Sequence, residues 1–167
     1  MAEGDLFIKI TGKQQGEIQG ESLKTGKEAQ TEINHFSISA HQPGSYGQHS
    51  GGGTGKVTFS DISFSTAISK TSPLIFQAMG NHEVLSEVIL SARKGVGDKQ
   101  EDYYVITLTD AVMTDYAISA SEHGSPQVSG NLNYKKIKIS YKEQKPDGSL
   151  GSEVFYEFDQ ATGEKAA

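Results

Sequence analysis

The sequence predicts an all-β chain, a two-sheet sandwich or barrel, with one short helix packed against it. Three observations carry that expectation. Apolar residues recur with period two in about eight short runs at roughly 10–15-residue spacing. The chain has 19 glycines and only four prolines, which fits tight turns between strands and not a collagen-like or disordered polymer. Only one segment carries helix punctuation.

Leu6-Phe7-Ile8-Lys9-Ile10 is the first apolar run, closed by Gly12. From Ile33 to Ala40 polar and apolar residues alternate, which turns His35, Ser37 and Ser39 to one side and Phe36 and Ile38 to the other. Val57 and Phe59 share one parity and Ile62 and Phe64 the other, so a bulge or a change of sheet is expected near Ser60-Asp61. Val84–Ala92, Tyr103–Leu108, Val112–Ser119, Leu132–Tyr141 and Val154–Phe158 read as further strands. Parity slips again near Lys135-Lys136.

Thr71 to Gly80 breaks this rhythm. Ser72 can cap a helix, Pro73 suits its first position and Gly80 its left-handed stop. Leu74, Ile75, Ala78 and Met79 then share one side. Two turns do not stand alone, so the helix must plug an opening or pack on a sheet. Gln42 to Gly55 is a glycine-dense insertion that needs outside support to become ordered. Ser121–Gln127 reads as a second loop and Lys145-Pro146-Asp147-Gly148 as a turn. The chain reads as one domain, 1–167, with 1–4 and 161–167 as frayed ends.

Composition excludes several function classes. A net charge of −6 with scattered Lys and Arg argues against nucleic acid and against an anionic membrane surface. The absence of cysteine excludes disulfides, thiolate metal sites and cysteine nucleophiles. No apolar run approaches the length of a membrane span. The N-terminus lacks the basic and apolar regions of a secretory leader, so if the protein leaves the cell a machine that reads no cleaved signal peptide is expected. His35, His41 and His49 lack the convergent ligands of a metal site, and His82 and His123 sit in turn contexts. Gly51-Gly52-Gly53-Thr54-Gly55-Lys56 lacks phosphate-loop spacing and leads into a strand. No Gly-x-Ser-x-Gly elbow is present. No catalytic residue, cofactor or metal is assigned. A monomeric, lectin-like β-sandwich binding module is the alternative reading.

Leu6–Ile10 with Gly20-Glu21-Ser22, Gly51–Val57, Asp61–Phe64, Lys70–Leu74, Arg93–Gly95 with Gly97–Gln100, Tyr104–Leu108 and Lys145–Gly148 follow one another in a set order. Together these strings resemble the haemolysin-coregulated protein family of bacterial type VI secretion. They run from about residue 6 to residue 158. Two departures stand out: the link Lys13–Gln19 is longer than usual, and Ala78-Met79 stand where members often carry cysteine. The resemblance implies hexameric rings that stack into a tube within a contractile sheath, capped by a VgrG-type spike and carrying effector proteins in the lumen. It also implies synthesis in the bacterial cytoplasm followed by export through the apparatus. It points to Gln42, Pro43, Gly44, Tyr46, Gly51, Gly52, Gly53, Thr54 and Lys56 as the assembly loop. His35, Ser37 and Ser39 become the lumen-facing candidates, with Ser37 first for contact with cargo.

Overall fold

The computed structural model describes residues 5–44 and 55–165. Its early strands are β1 (Asp5–Gly12), β2 (Gly16–Ile18), β3 (Thr31–Ile33), β4 (His35–Ser37), β5 (Ala40–His41), β6 (Thr58–Phe59) and β7 (Ile62–Ala67). Helix α1 (Thr71–Gly80) follows, then β8 (Leu85–Val96), β9 (Lys99–Ser121), β10 (Gly124–Gln144), β11 (Leu150–Asp159) and β12 (Glu164–Lys165). One sheet runs β12-β11-β10-β9-β8-β1-β2, with β3 also on β1, β7 on β10 and β4 on β7. The β3–β4 segment closes this sheet into a barrel. Its first half pairs with β1 and its second with β7, and the Asn34 amide between them donates to the Ser65 carbonyl at 2.8 Å. The period-two run around Phe36 is therefore three short strands serving three partners, since β5 pairs with β6 in a separate small sheet. The parity change at Ser60-Asp61 is a change of sheet: β6 belongs to the small sheet and β7 to the barrel.

The slip near Lys135 extends across three strands. Buried residues stand three apart instead of two in β8 (Leu85, Val88), β9 (Leu108, Ala111) and β10 (Tyr134, Ile137). These pairs are in register, so Ser86, Asp110 and Lys135 lie side by side at a common corner. Asp110 takes φ 51° there, a conformation that Asp tolerates better than most residues. A register shift at Thr11/Gly12 carries the corner into β1. The corner makes one 23-residue strand, β9, of the two expected around Asp110. The expected loop Ser121–Gln127 is reduced to the turn Glu122-His123, because β9 and β10 run almost to each other's ends. Ile8, Leu90, Ile106, Leu108 and Ile137 fill the barrel interior. Each such side chain contributes about 1.5–3 kcal/mol by leaving water.

Helix α1 occupies the expected residues, but its ends differ from the expected caps. Lys70 is the N-cap, without a side-chain bond, and the Ser69 hydroxyl one residue earlier accepts the Thr71 amide at 3.3 Å. Ser72 lies inside the helix, buried, and accepts a 2.9 Å hydrogen bond from the Tyr116 hydroxyl. Pro73 is thus the third helical residue. Gly80 remains helical, and His82, at φ 51°, takes the left-handed position. Ile75 and Ala78 are buried and Leu74 and Met79 half-buried, so the expected face is the one that packs. The next residue, Glu83, is buried and holds the β1–β2 link. Its Oε1 accepts the Gln14 and Gln15 amides at 2.7 and 2.8 Å, and its Oε2 accepts the Gln15 side-chain amide at 2.9 Å.

Candidate assembly and lumen surfaces

The short strand carrying His35 and Ser37 is one edge of a four-stranded face. Across β4, β7, the first half of β10 and the second half of β9, one row reads His35, Ser65, Ser129, Ala117. The adjacent outward row reads Ser37, Ser63, Asn131, Asp115. Every side chain in these two rows is exposed or half-buried, and seven of the eight are small or polar aliphatic groups. The Ser63 hydroxyl donates to the Asn131 carboxamide oxygen at 2.7 Å, which ties neighbouring strands on this surface.

The row between them faces inward: Phe36, Phe64, Gly130, Tyr116. Gly130 is required here, because a Cβ would sit 2.7 Å from the Phe64 ring and 3.3 Å from Tyr116. Phe36 stacks on Tyr104 with ring centres 6.2 Å apart. Ile38 is half-buried, and Ser39 is exposed beyond the end of β4, its amide donating to the Ser60 hydroxyl at 2.9 Å. The alternation read from the sequence is the one observed, and the sheet then places His35 and Ser37 among partners far along the chain.

Both edges of this face are unpaired among the described residues. β4 pairs only with β7, and β8 leaves β9 at Ala111, so residues 112–121 pair only with β10. The open edge of β9 was not legible in the sequence, where Val112–Ser119 reads as an ordinary strand. Its signal lies in strand lengths, because β8 is eleven residues shorter than β9. Asp61 braces the corner below the face. It accepts from Thr114 at 3.0 Å and from the Asn133 amide at 2.9 Å. The neighbouring Tyr134 hydroxyl donates to the Ser60 carbonyl at 2.9 Å. Burial, with the Asp61 charge adding to it, pushes its pKa up to about 12, so it remains a donor throughout the physiological range.

Gln42, Pro43, Gly44 and Lys56 lie at the base of the expected assembly loop, all exposed. The Gly55 amide donates to the Pro43 carbonyl at 3.2 Å, which joins the two sides of that base beside the β5–β6 ladder. Gly55 also leaves room for the Pro43 ring, which a Cβ would meet at 2.8 Å. Tyr46, Gly51, Gly52, Gly53 and Thr54 lie outside the described residues. No group of three or more potential metal ligands occurs among the described residues. Among the described residues no helix is long and apolar enough to cross a membrane.

The family model described as "Type VI secretion system effector, Hcp" matches residues 7–141. The chain belongs to the Hcp family. Protein hcp1 of Pseudomonas aeruginosa is 31% identical over 147 residues, which cover 87% of each chain. Among solved structures, a type six secretion system protein matches with a TM-score of 0.87 at 21% identity, over 97% of this chain and 99% of that one. Hcp1 of Salmonella typhimurium matches with a TM-score of 0.77 at 24% identity, over 98% and 99%. A type VI effector of Yersinia pestis matches at 0.72 and 22% identity, over 93% and 99%. The barrel with its short helix is thus the Hcp fold, and the chain is a structural protein of type VI secretion.

Proposed function

We propose that this Hcp chain is the ring-forming subunit of an exported type VI secretion tube. The observation that carries the reading is the four-stranded, small-polar face with an open edge on each side. Joining the β9 edge of one copy to the β4 edge of the next satisfies unpaired backbone groups on both and continues the sheet. The two edges differ, so the contact is heterologous and closes into a ring if the rotation per copy permits. Four strands from each of six copies, at about 4.8 Å spacing, give a channel about 37 Å across between untilted backbones. Serine, alanine, asparagine and aspartate side chains then line the lumen, with His35 as the one ring in these two rows, so that cargo effectors meet few adhesive groups. Gln42–Lys56 reaches towards a neighbouring copy as the assembly loop. The opposite half of the barrel, with Lys138 and Phe155 on its surface, faces the contractile sheath, and the tube end receives a VgrG-type spike. The protein is made in the bacterial cytoplasm and leaves through the apparatus, which needs no cleaved leader.

Light scattering on a sizing column tests this. A species near six times the 17.9 kDa chain is expected. Proline placed in turn at Ala117 and Ile118 tests the edge, because adjacent strand residues point their N–H groups to opposite sides. One of the two variants removes an outward N–H and leaves the β9–β10 ladder intact, so it should remain β-rich and elute as a monomer. A monomeric parent, or hexamers from both variants, refutes the edge-joined ring.

A further inference from the structure

Two features at opposite ends of β1 are complementary. At the Gly12 end, α1 and the barrel enclose a pocket of about 280 Å³. Ile10, Ile18, Ile75, Met79, Val112 and Met113 line it. Its charged lining residue, Glu83, is already engaged with the β1–β2 link through both oxygens. The other polar side chain in the lining is His82, and one such group falls short of the two to four polar partners that ordered water needs. The pocket therefore suits an apolar group.

At the Asp5 end, Leu23 is 93% exposed on a surface turn. Lone exposed leucines are common, but this turn is held with unusual care. Buried Ser22 and Lys27 anchor its two sides. Lys27 Nζ donates to Ser91 Oγ at 2.8 Å and pairs with Asp102 at 2.7 Å. Arg93, also buried, donates to the Thr25 carbonyl at 3.0 Å and to the Gln100 carbonyl at 2.6 Å. Lys24 Nζ reaches Asp5 at 2.9 Å and Glu32 at 3.3 Å. Buried charge is an expensive way to fix a turn, since hydrophobic replacements are often as stable. Its effect is to present Leu23 without the ordering entropy that a loose loop would lose on docking.

The two features are separated by the length of the eight-residue β1, about 24 Å, so Leu23 cannot fill the pocket of its own subunit. Each copy carries one knob and one hole on different surfaces, the arrangement that yields open head-to-tail chains. We propose that Leu23 of one copy inserts into the pocket beside α1 of a second copy, and that this contact stacks one ring on the next. The inference rests on the ring reading above. One such contact is weak alone, whereas six acting together between two rings are strengthened by effective concentration.

The full-length chain carries the test. Leu23→Asp should keep the mass of six chains on a sizing column yet lose the larger assemblies seen by sedimentation, by tenfold or more. Because the chain has no cysteine, Leu23→Cys with Val112→Cys in one chain should give a ladder of disulfide-linked species on a non-reducing gel after mild oxidation. Each single variant should give no ladder. Stacking of Leu23→Asp like the parent, or no ladder from the double variant, overturns the proposal. So does loss of the hexamer itself in Leu23→Asp, which would place Leu23 within the ring. Loss of stacking in Val112→Glu but not in Leu23→Asp means that the pocket takes a different partner, and also overturns it. A parent without hexamers fails the ring reading, a result distinct from all of these.

Discussion

Removing the Glu83 carboxylate should destabilise the barrel by an amount that follows from its hydrogen bonds. Glu83 is 3% exposed and accepts two backbone amides and one side-chain amide from the β1–β2 link. Hydrogen bonds to a charged group contribute about 1.5–3 kcal/mol each. In Glu83→Ala the Gln15 side chain keeps its 3.1 Å bond to the Leu74 carbonyl, but both backbone amides lose their acceptor. Partial recovery by water brings the net loss to about 3 kcal/mol. For a domain of this size about 2–4 °C in Tm follows from each kcal/mol, so melting by circular dichroism at pH 7 and matched concentration should fall by about 6–12 °C. Burial opposes ionisation of Glu83, but the bonds from Gln15 and Gln14 outweigh it and hold its pKa below the ordinary 4.5. The folded pKa is depressed, so this stabilisation is whole above pH 4.5 and is lost as the pH falls through the folded value. The parent should therefore lose its advantage over Glu83→Ala only in acid. Gly12 supplies an internal check, because a Cβ there would collide with the Glu83 carboxylate. Gly12→Ala should destabilise the parent and be close to neutral in the Glu83→Ala background. A Glu83→Ala chain melting within 2 °C of the parent, or equal effects of Gly12→Ala in both backgrounds, would refute this reasoning.

Gly130→Ala drives a methyl group into the Phe64 and Tyr116 rings, and overpacking of this kind costs about 1–3 kcal/mol, measurable as a lowered midpoint in urea. An unchanged midpoint would show that the two rings move apart freely. Ser37→Gln should weaken retention of a co-expressed effector while leaving ring mass and Tm unchanged, because Ser37 is exposed on the outward row and packs on nothing in the core. Normal retention in a pull-down counts against a lumen position for this residue.

The strands were legible wherever period two held, and the helix because its punctuation is local. What sequence spacing did not yield was partnership. The alternation from Ile33 to Ala40 gave the correct outward set, but not that three consecutive pieces pair with β1, β7 and β6. Ser72 and Gly80 misled for a related reason. Each suits a cap by propensity, but Tyr116, 44 residues away, draws Ser72 into the packed interface. The remaining turn of helix is stopped by His82 and not by Gly80. The parity slip at Lys135 was visible as a single irregularity. That it is one corner shared with Ser86 and Asp110 depends on register between strands, which a single chain does not display. Leu23 and the Lys27–Asp102–Arg93 cluster gave no signal at all, since their meaning arises only when the 19–30 segment folds back over β1 and β8.

The shared corner also explains how one hairpin serves two surfaces of opposite chemistry. Before it, Gln127–Leu132 of β10 pairs with β7 and carries the small polar rows. After it, Lys136–Gln144 pairs with β11, where Lys138 lies 4.6 Å over the Phe155 ring and 3.8 Å from Glu153. Tyr103 and Tyr141 meet edge to face nearby, with Lys94 4.2 Å over Tyr103. This half therefore carries charged and aromatic groups on its surface, whereas the other half carries small polar ones. A flat β9–β10 hairpin would place both chemistries on one continuous surface. The turn at Ser86, Asp110 and Lys135 directs them apart, so that a small-polar surface and a charged, aromatic surface are built from the same two strands.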